Sequence, residues 1–264
     1  MTPSHSRPRG EESRDPENTG DSGNPATSAA AQRRHCPAWG VVVAALAAGL
    51  LAWLVGESTF GKVLPTKVPT PTMGHMIMAT SAATEQAAAI AMAVRHDGAF
   101  GFLLGLALGA AGGLAGRSRS PRGAVLGALV GAVAGACVAF LGALLFFRFR
   151  YSFVDEMIPS FLYHGSISAA VGASAGLALA FGAGEGRQAL VRAILGGAIG
   201  ALLGAVVYEI VASVLMASSD AGDPVPGSAM ARLVARMIVA FAIALGVVTA
   251  LAAQRRRMLN APRS

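Results

Sequence analysis

AVLGALVGAVAGA, residues 124–136, is the stretch on which the fold turns. Gly127, Gly131 and Gly135 recur in it at every fourth position. A step of four residues turns a helix by about 400°, so these glycines form a slowly winding stripe on one face. In water each glycine costs about 1 kcal/mol of helix stability relative to alanine. Inside a bilayer the backbone has no partner but its own helix, so the helix survives. The missing side chains leave a groove that admits a second helix. Dispersion and weak interhelical hydrogen bonds hold it there, because lipid supplies no hydrophobic gain.

The stretch returns 69 positions later as AILGGAIGALLGA, residues 193–205, with glycines at Gly196, Gly200 and Gly204. Seven of the 13 aligned positions are identical. The apolar segment before each copy also carries small residues at four-residue spacing. Gly101, Gly105, Gly109 and Gly113 form one series, and Ser168, Gly172, Gly176, Ala180 and Gly184 the other. Abundant glycine and alanine would produce some such spacings by chance, but two aligned copies argue for close packing. The expected architecture is an all-α integral membrane protein of six transmembrane helices, with two tandem glycine-zipper hairpins forming a parallel internal repeat.

Composition agrees. The chain has 264 residues, 54% hydrophobic and only 13% charged, with 33 glycines, which lies outside the range of ordinary soluble domains. Aromatic residues are few at 6%, which disfavours a large stacking surface for a ligand. A net charge of +7 in a soluble protein would raise nucleic-acid binding. Here the arginines flank apolar spans, so membrane orientation accounts for them and no nucleic-acid partner is expected. Cys36 and Cys137 fall at different expected depths, and neither has a metal-ligand spacing.

Residues 1–37 are polar, with arginines and acids nearly cancelling, and read as a disordered cytoplasmic leader. The first span is 38–56, bracketed by Trp39 and Trp53, and reads as an uncleaved signal anchor. Residues 57–97 form the expected extracytoplasmic loop. Its Pro65, Pro69 and Pro71 favour an extended chain, and a surface or re-entrant helix is expected over about 76–96, capped by Ser81 with Glu85 in its first turn. Reading 75–94 as another span would bury Glu85 and Gln86 at mid-depth, at a cost of a few kcal/mol. The first hairpin is 98–147 and the second 161–216. A sixth helix at 231–253 precedes a basic cytoplasmic tail, 254–264. With both termini in the cytoplasm, 14 of the 21 basic residues fall inside, as the positive-inside rule requires. The expected location is the cytoplasmic membrane.

Three polar residues are candidates for a transport or polar site at the outer mouth. Glu209 is the one acid within an expected span core, with His164, Arg232 and Arg236 as possible partners. A carboxylate that close to a helix end also reads as a structural pair, or as a side chain reaching the interface. Asp97 and His164 immediately precede Gly98 and Gly165, so they occupy equivalent places in the two copies, although ordinary helix starts explain them too. Met73-Gly74-His75-Met76-Ile77-Met78 combines soft thioethers with an imidazole, a set that suits copper(I). Methionines anchoring an interfacial helix are the preferred reading, and neither a metal nor a cofactor is expected. Gly172-Ala173-Ser174-Ala175-Gly176 fits GxSxG literally, but it lies inside an apolar helix instead of a strand-to-helix turn, so Ser174 reads as packing. No catalytic constellation emerges, and the chain is not expected to be an enzyme. The leading function is a non-enzymatic membrane component acting by close helix packing. Its partners are the bilayer and, through the glycine faces, a second copy or another membrane protein. The rival is a small solute or ion transporter or channel whose outer mouth includes Glu209, His164 and Asp97.

Overall fold

The computed structural model describes residues 38–116, 120–149, 157–215 and 225–259. The leader 1–37, Arg117 to Arg119 of the basic turn, the acidic loop around Asp155 and Glu156, residues 216–224 and the tail beyond 259 lie outside the described residues. Six helices are long and apolar enough to cross a membrane. They are α1 (Ala38–Thr59), α2 (Ala82–Ala115), α3 (Pro121–Phe149), α4 (Met157–Gly182), α5 (Arg187–Leu215) and α6 (Ala229–Leu259). A two-stranded antiparallel hairpin, β1 (Lys67–Thr72) and β2 (His75–Thr80), stands between α1 and α2.

Local chemistry sets the helix ends. α1 stops where the Ser58 and Thr59 hydroxyls donate back to the carbonyls of Val55 and Gly56, at 2.7 and 2.9 Å. α2 opens on a capping box: the Ser81 hydroxyl accepts from the Thr84 N–H, while the Thr84 hydroxyl accepts from the Ser81 N–H. Glu85 follows in the first turn. Pro121 occupies the first position of α3, where its missing N–H costs nothing, and Ser120 accepts from the Gly123 N–H at 3.3 Å. The turn after α4 needs a left-handed residue, which Gly184 provides at φ 66°.

The segment before α2 departs from the sequence reading. Residues 76–80, expected to begin a surface helix, belong instead to β2. Its partner β1 pairs with it in the register Lys67 to Thr80 through Thr72 to His75. The two-residue loop Met73-Gly74 has φ of 48° and 81°, the sign that a type I′ hairpin turn requires. The helix that begins at Ala82 does not end near Asp97; it continues unbroken to Ala115. Alanine-rich sequence carries it through, and the Asp97 carboxylate is engaged elsewhere instead of capping Gly98. Its 34 residues extend about 51 Å, well beyond the roughly 30 Å hydrocarbon core of a bilayer. Measured back from Ala115, about 27 Å of helix reaches Asp97. Asp97 therefore stands near one end of a membrane-length segment, with 82–96 extending past it. That extension packs on the end of α3 in a small second core of Ala93, Ala143, Phe147 and Val225.

Helices α1, α2, α4, α5 and α6 pack in a closed ring, each on the next, and α3 lies against α2 and α4. Glycines set the closest approaches. A Cβ added to Gly101, Gly105 or Gly109 of α2 would collide with the carbonyl oxygens of Gly135, Gly131 and Gly127 of α3, respectively. Between α4 and α5 the contacts are Gly172 on Gly197 and Gly176 on Ala193. Gly196, Gly200 and Gly204, although aligned in sequence with Gly127, Gly131 and Gly135, face α6 at Gly246 and Ala242. The physical reason is that α5 carries an additional glycine, Gly197, whose close contact with Gly172 serves α4 and leaves the other three to α6. Ala128 stands in the aligned position of α3. The centre of the bundle is filled, with Leu104, Leu108, Val171, Ile243 and Val247 all fully buried.

Candidate functional site

Two arginines one helical turn apart, Arg232 and Arg236, begin α6 on one face. Two acids meet them from other helices. Glu57, in the last turn of α1, takes a two-pronged contact from Arg232, Nε to Oε1 at 2.6 Å and Nη2 to Oε2 at 2.9 Å. Arg232 Nη1 donates to the carbonyls of Pro226 and Gly227 at 2.7 and 2.8 Å. The guanidinium therefore uses every nitrogen, and its side chain is only 5% exposed. It also lies over the Phe60 ring, 3.5 Å from the centroid. One turn on, Arg236 Nη2 donates to Asp97 Oδ1 of α2 at 2.7 Å, with Phe100 beneath the guanidinium. Trp53 of α1 adds a hydrogen bond from Nε1 to the Ala229 carbonyl at 3.0 Å. Three helices remote in sequence are thereby tied together at one end of the bundle.

His96 fills the space between the two ion pairs. Its ring meets Phe60 edge-on at 5.8 Å, and a Cβ on Gly56 would come within 2.7 Å of its Nδ1 and Cε1. It is almost fully buried, and its Nε2 has no hydrogen-bond partner. Such an atom costs about 1–3 kcal/mol of unrecovered desolvation.

A cavity of about 50 Å³ opens beside the cluster. At roughly 10–15 Å³ for each water centre, it holds a few water molecules and nothing larger than a small ion or solute. Its polar wall is Asp97, His164, Ser168, Tyr208, Arg232 and Arg236, and its apolar wall includes Phe100, Ile167, Val171 and Val239. Below it, α2 and α6 lead directly into the buried Leu104, Leu108, Ile243 and Val247.

Of the three sequence candidates, Asp97 and His164 share this cavity and Glu209 does not line it. Adjacent helical positions point about 100° apart, so Tyr208 takes the inward direction that Glu209 would need. The arginines suggested as partners of Glu209 are engaged by Glu57 and Asp97 instead. Glu57 and His96 were missed in the sequence. The available signal was the four-residue spacing of Arg232 and Arg236 beside two acids at the ends of other spans. Ser174 lies mid-helix in α4 and donates to the Val171 carbonyl at 2.8 Å, which is not the setting of a nucleophile elbow. Among the described residues, no group of three His, Cys, Asp or Glu side chains gathers where a metal ion could be held. Cys137 is free and exposed.

The fold and the cluster define a helical chain with six membrane-length apolar helices, closed at one end by buried ion pairs. No family model matches the chain, no curated protein matches its sequence, and no solved structure matches its fold.

Proposed function

We propose that the protein is a non-enzymatic polytopic component of the cytoplasmic membrane, with both termini cytoplasmic, acting as a rigid helical scaffold. Its two glycine-zipper hairpins, 98–147 and 161–216, are read as tandem copies of one unit. The observation that carries this reading is the run of backbone-to-backbone contacts at Gly101, Gly105 and Gly109 against Gly135, Gly131 and Gly127. Contacts so close exclude any side chain, and they engage these glycine faces within one chain. The surfaces left outward carry large apolar groups, among them Leu129, Val133, Leu195 and Leu203, which suit lipid or a flat helix–helix contact. The test is assembly. Gly105→Leu and Gly131→Leu should each abolish the folded bundle in detergent, while Leu129→Ala on the outer face should leave it intact. A Gly105→Leu protein that unfolds at the wild-type temperature would remove the basis of this reading.

A second reading, a small solute or ion transporter, is favoured by one observation: the cavity bounded by Asp97, His164 and Arg236. The filled apolar core below it supports the scaffold instead, because a permeation path would need the Leu104, Leu108 and Ile243 layers to separate. Ion and solute flux in proteoliposomes, comparing wild type with Asp97→Asn, distinguishes the two. Wild-type flux that is lost in Asp97→Asn at a temperature where the variant remains folded would establish transport.

A further inference from the structure

The hairpin β1–β2 is outside the bundle core, and its composition serves neither packing nor the charged cluster. Met73 is 98% exposed, Met76 69% and Met78 60%. Anchorage of an interfacial helix, the ordinary explanation for such methionines, fails because residues 75–80 are a strand. Three thioethers on one small hairpin are thus left uncovered by the rest of the chain, at a cost in exposed apolar surface that folding does not require.

The register shows how they are arranged. In a strand, positions two apart share a face, so Met76 and Met78 lie on one side, about 6.6 Å apart along the strand. His75 and Ile77 lie on the other. Opposite Met76 and Met78 stand Pro71 and Pro69. Proline has no N–H to give to β2, so these are the non-hydrogen-bonded pairs, in which facing side chains come closest. Two fixed rings thereby back the two flexible thioethers. Met73 occupies the turn, one residue pair beyond Pro71 and Met76, with φ 48°, and among the described residues it is the one non-glycine with positive φ. A left-handed methionine costs about 1–2 kcal/mol where asparagine or glycine would sit freely. An unfavourable residue held at a hairpin tip points to function in its side chain.

We propose that Met73, Met76 and Met78 form a three-thioether site for a soft monovalent cation, copper(I) or its redox-inert analogue silver(I). Thioethers are soft, uncharged donors that select these ions over zinc, magnesium and calcium. No electron transfer is involved; the ion is bound in its reduced state. Because thioethers carry no proton in this range, binding is independent of pH.

The test uses the full chain in detergent with both cysteines replaced, Cys36→Ser and Cys137→Ser, to remove thiolate binding. Copper(I) under ascorbate is titrated against a chromogenic chelator, and silver(I) is titrated by calorimetry. The expected result is one equivalent bound per chain, with affinity unchanged between pH 5.5 and 7.5 and unaffected by His75→Ala. Met76→Leu and Met78→Leu keep the apolar volume and should each weaken binding by about tenfold or more. Failure of the wild-type chain to compete with the chelator would overturn the site. So would Leu variants that bind as tightly as the parent. Loss of affinity in His75→Ala would overturn the three-thioether assignment.

Discussion

Arg232 shows at the scale of one residue what burial demands of a charge. Its Nε and Nη2 meet Glu57, its Nη1 meets two carbonyls, and an aromatic ring covers its face. Removing one member of such a pair leaves the other buried and uncompensated, which costs about 3–5 kcal/mol. Glu57→Gln and Asp97→Asn should each lower the unfolding temperature in detergent markedly, and Arg232→Lys should not substitute, because an ammonium cannot make the two-pronged contact. Thermal unfolding of the three variants checks this; a wild-type midpoint for Glu57→Gln would show that the pair contributes nothing. Gly56 gives a second prediction. A Cβ there would come within 2.7 Å of the His96 ring, so Gly56→Ala should destabilise by about 1–3 kcal/mol. The double variant Gly56→Ala, His96→Ala should recover much of that loss, since the obstacle and the unpaired Nε2 go together. None of these contacts was visible in the sequence. The acids could be seen, but their partners lie 175 and 139 residues away.

Helix pairs bring a different question, namely which face of each meets which neighbour. The four-residue spacing made the packing stripes of α2 and α3 legible, because periodicity along one helix is a local property. For α5 the spacing was legible and its destination was not. Gly196 and Gly200 face α6, and Gly197 faces α4. Adjacent positions should therefore disrupt different interfaces. With cysteine pairs reporting each contact, Gly196→Leu should lose the crosslink between α5 and α6, and Gly197→Leu the one between α4 and α5. Loss of the same crosslink in both would contradict this arrangement. Gly98 is the control: a Cβ there meets nothing within 4 Å, so Gly98→Ala should leave stability unchanged or raise it by up to about 1 kcal/mol. At the same scale the extended chain around Pro69 and Pro71 was legible, but residues 76–80 read as the start of a helix and are instead a strand. Met-Gly is not the Asn-Gly or Asp-Gly turn that announces a hairpin, and alanines downstream of Ser81 are strong helix formers.

For the whole molecule, the ring of α1, α2, α4, α5 and α6 has a filled centre and a charged rim at one end. A scaffold of this kind should pass no ion or solute in proteoliposomes, and Asp97→Asn should change its stability and not its permeability. A wild-type flux abolished in Asp97→Asn while that variant remains folded would instead make the cavity part of a path. The sequence by itself determined the six long apolar helices and the small-residue faces, because hydropathy and spacing are written along each helix. Tertiary structure alone decided that Asp97 and His164 share a cavity without Glu209, that Glu57 and Asp97 neutralise the two arginines, and that α5 divides its glycines between two neighbours. Each of those outcomes depends on the rotation of one helix about its axis and its depth relative to another, and no single segment of the chain encodes either.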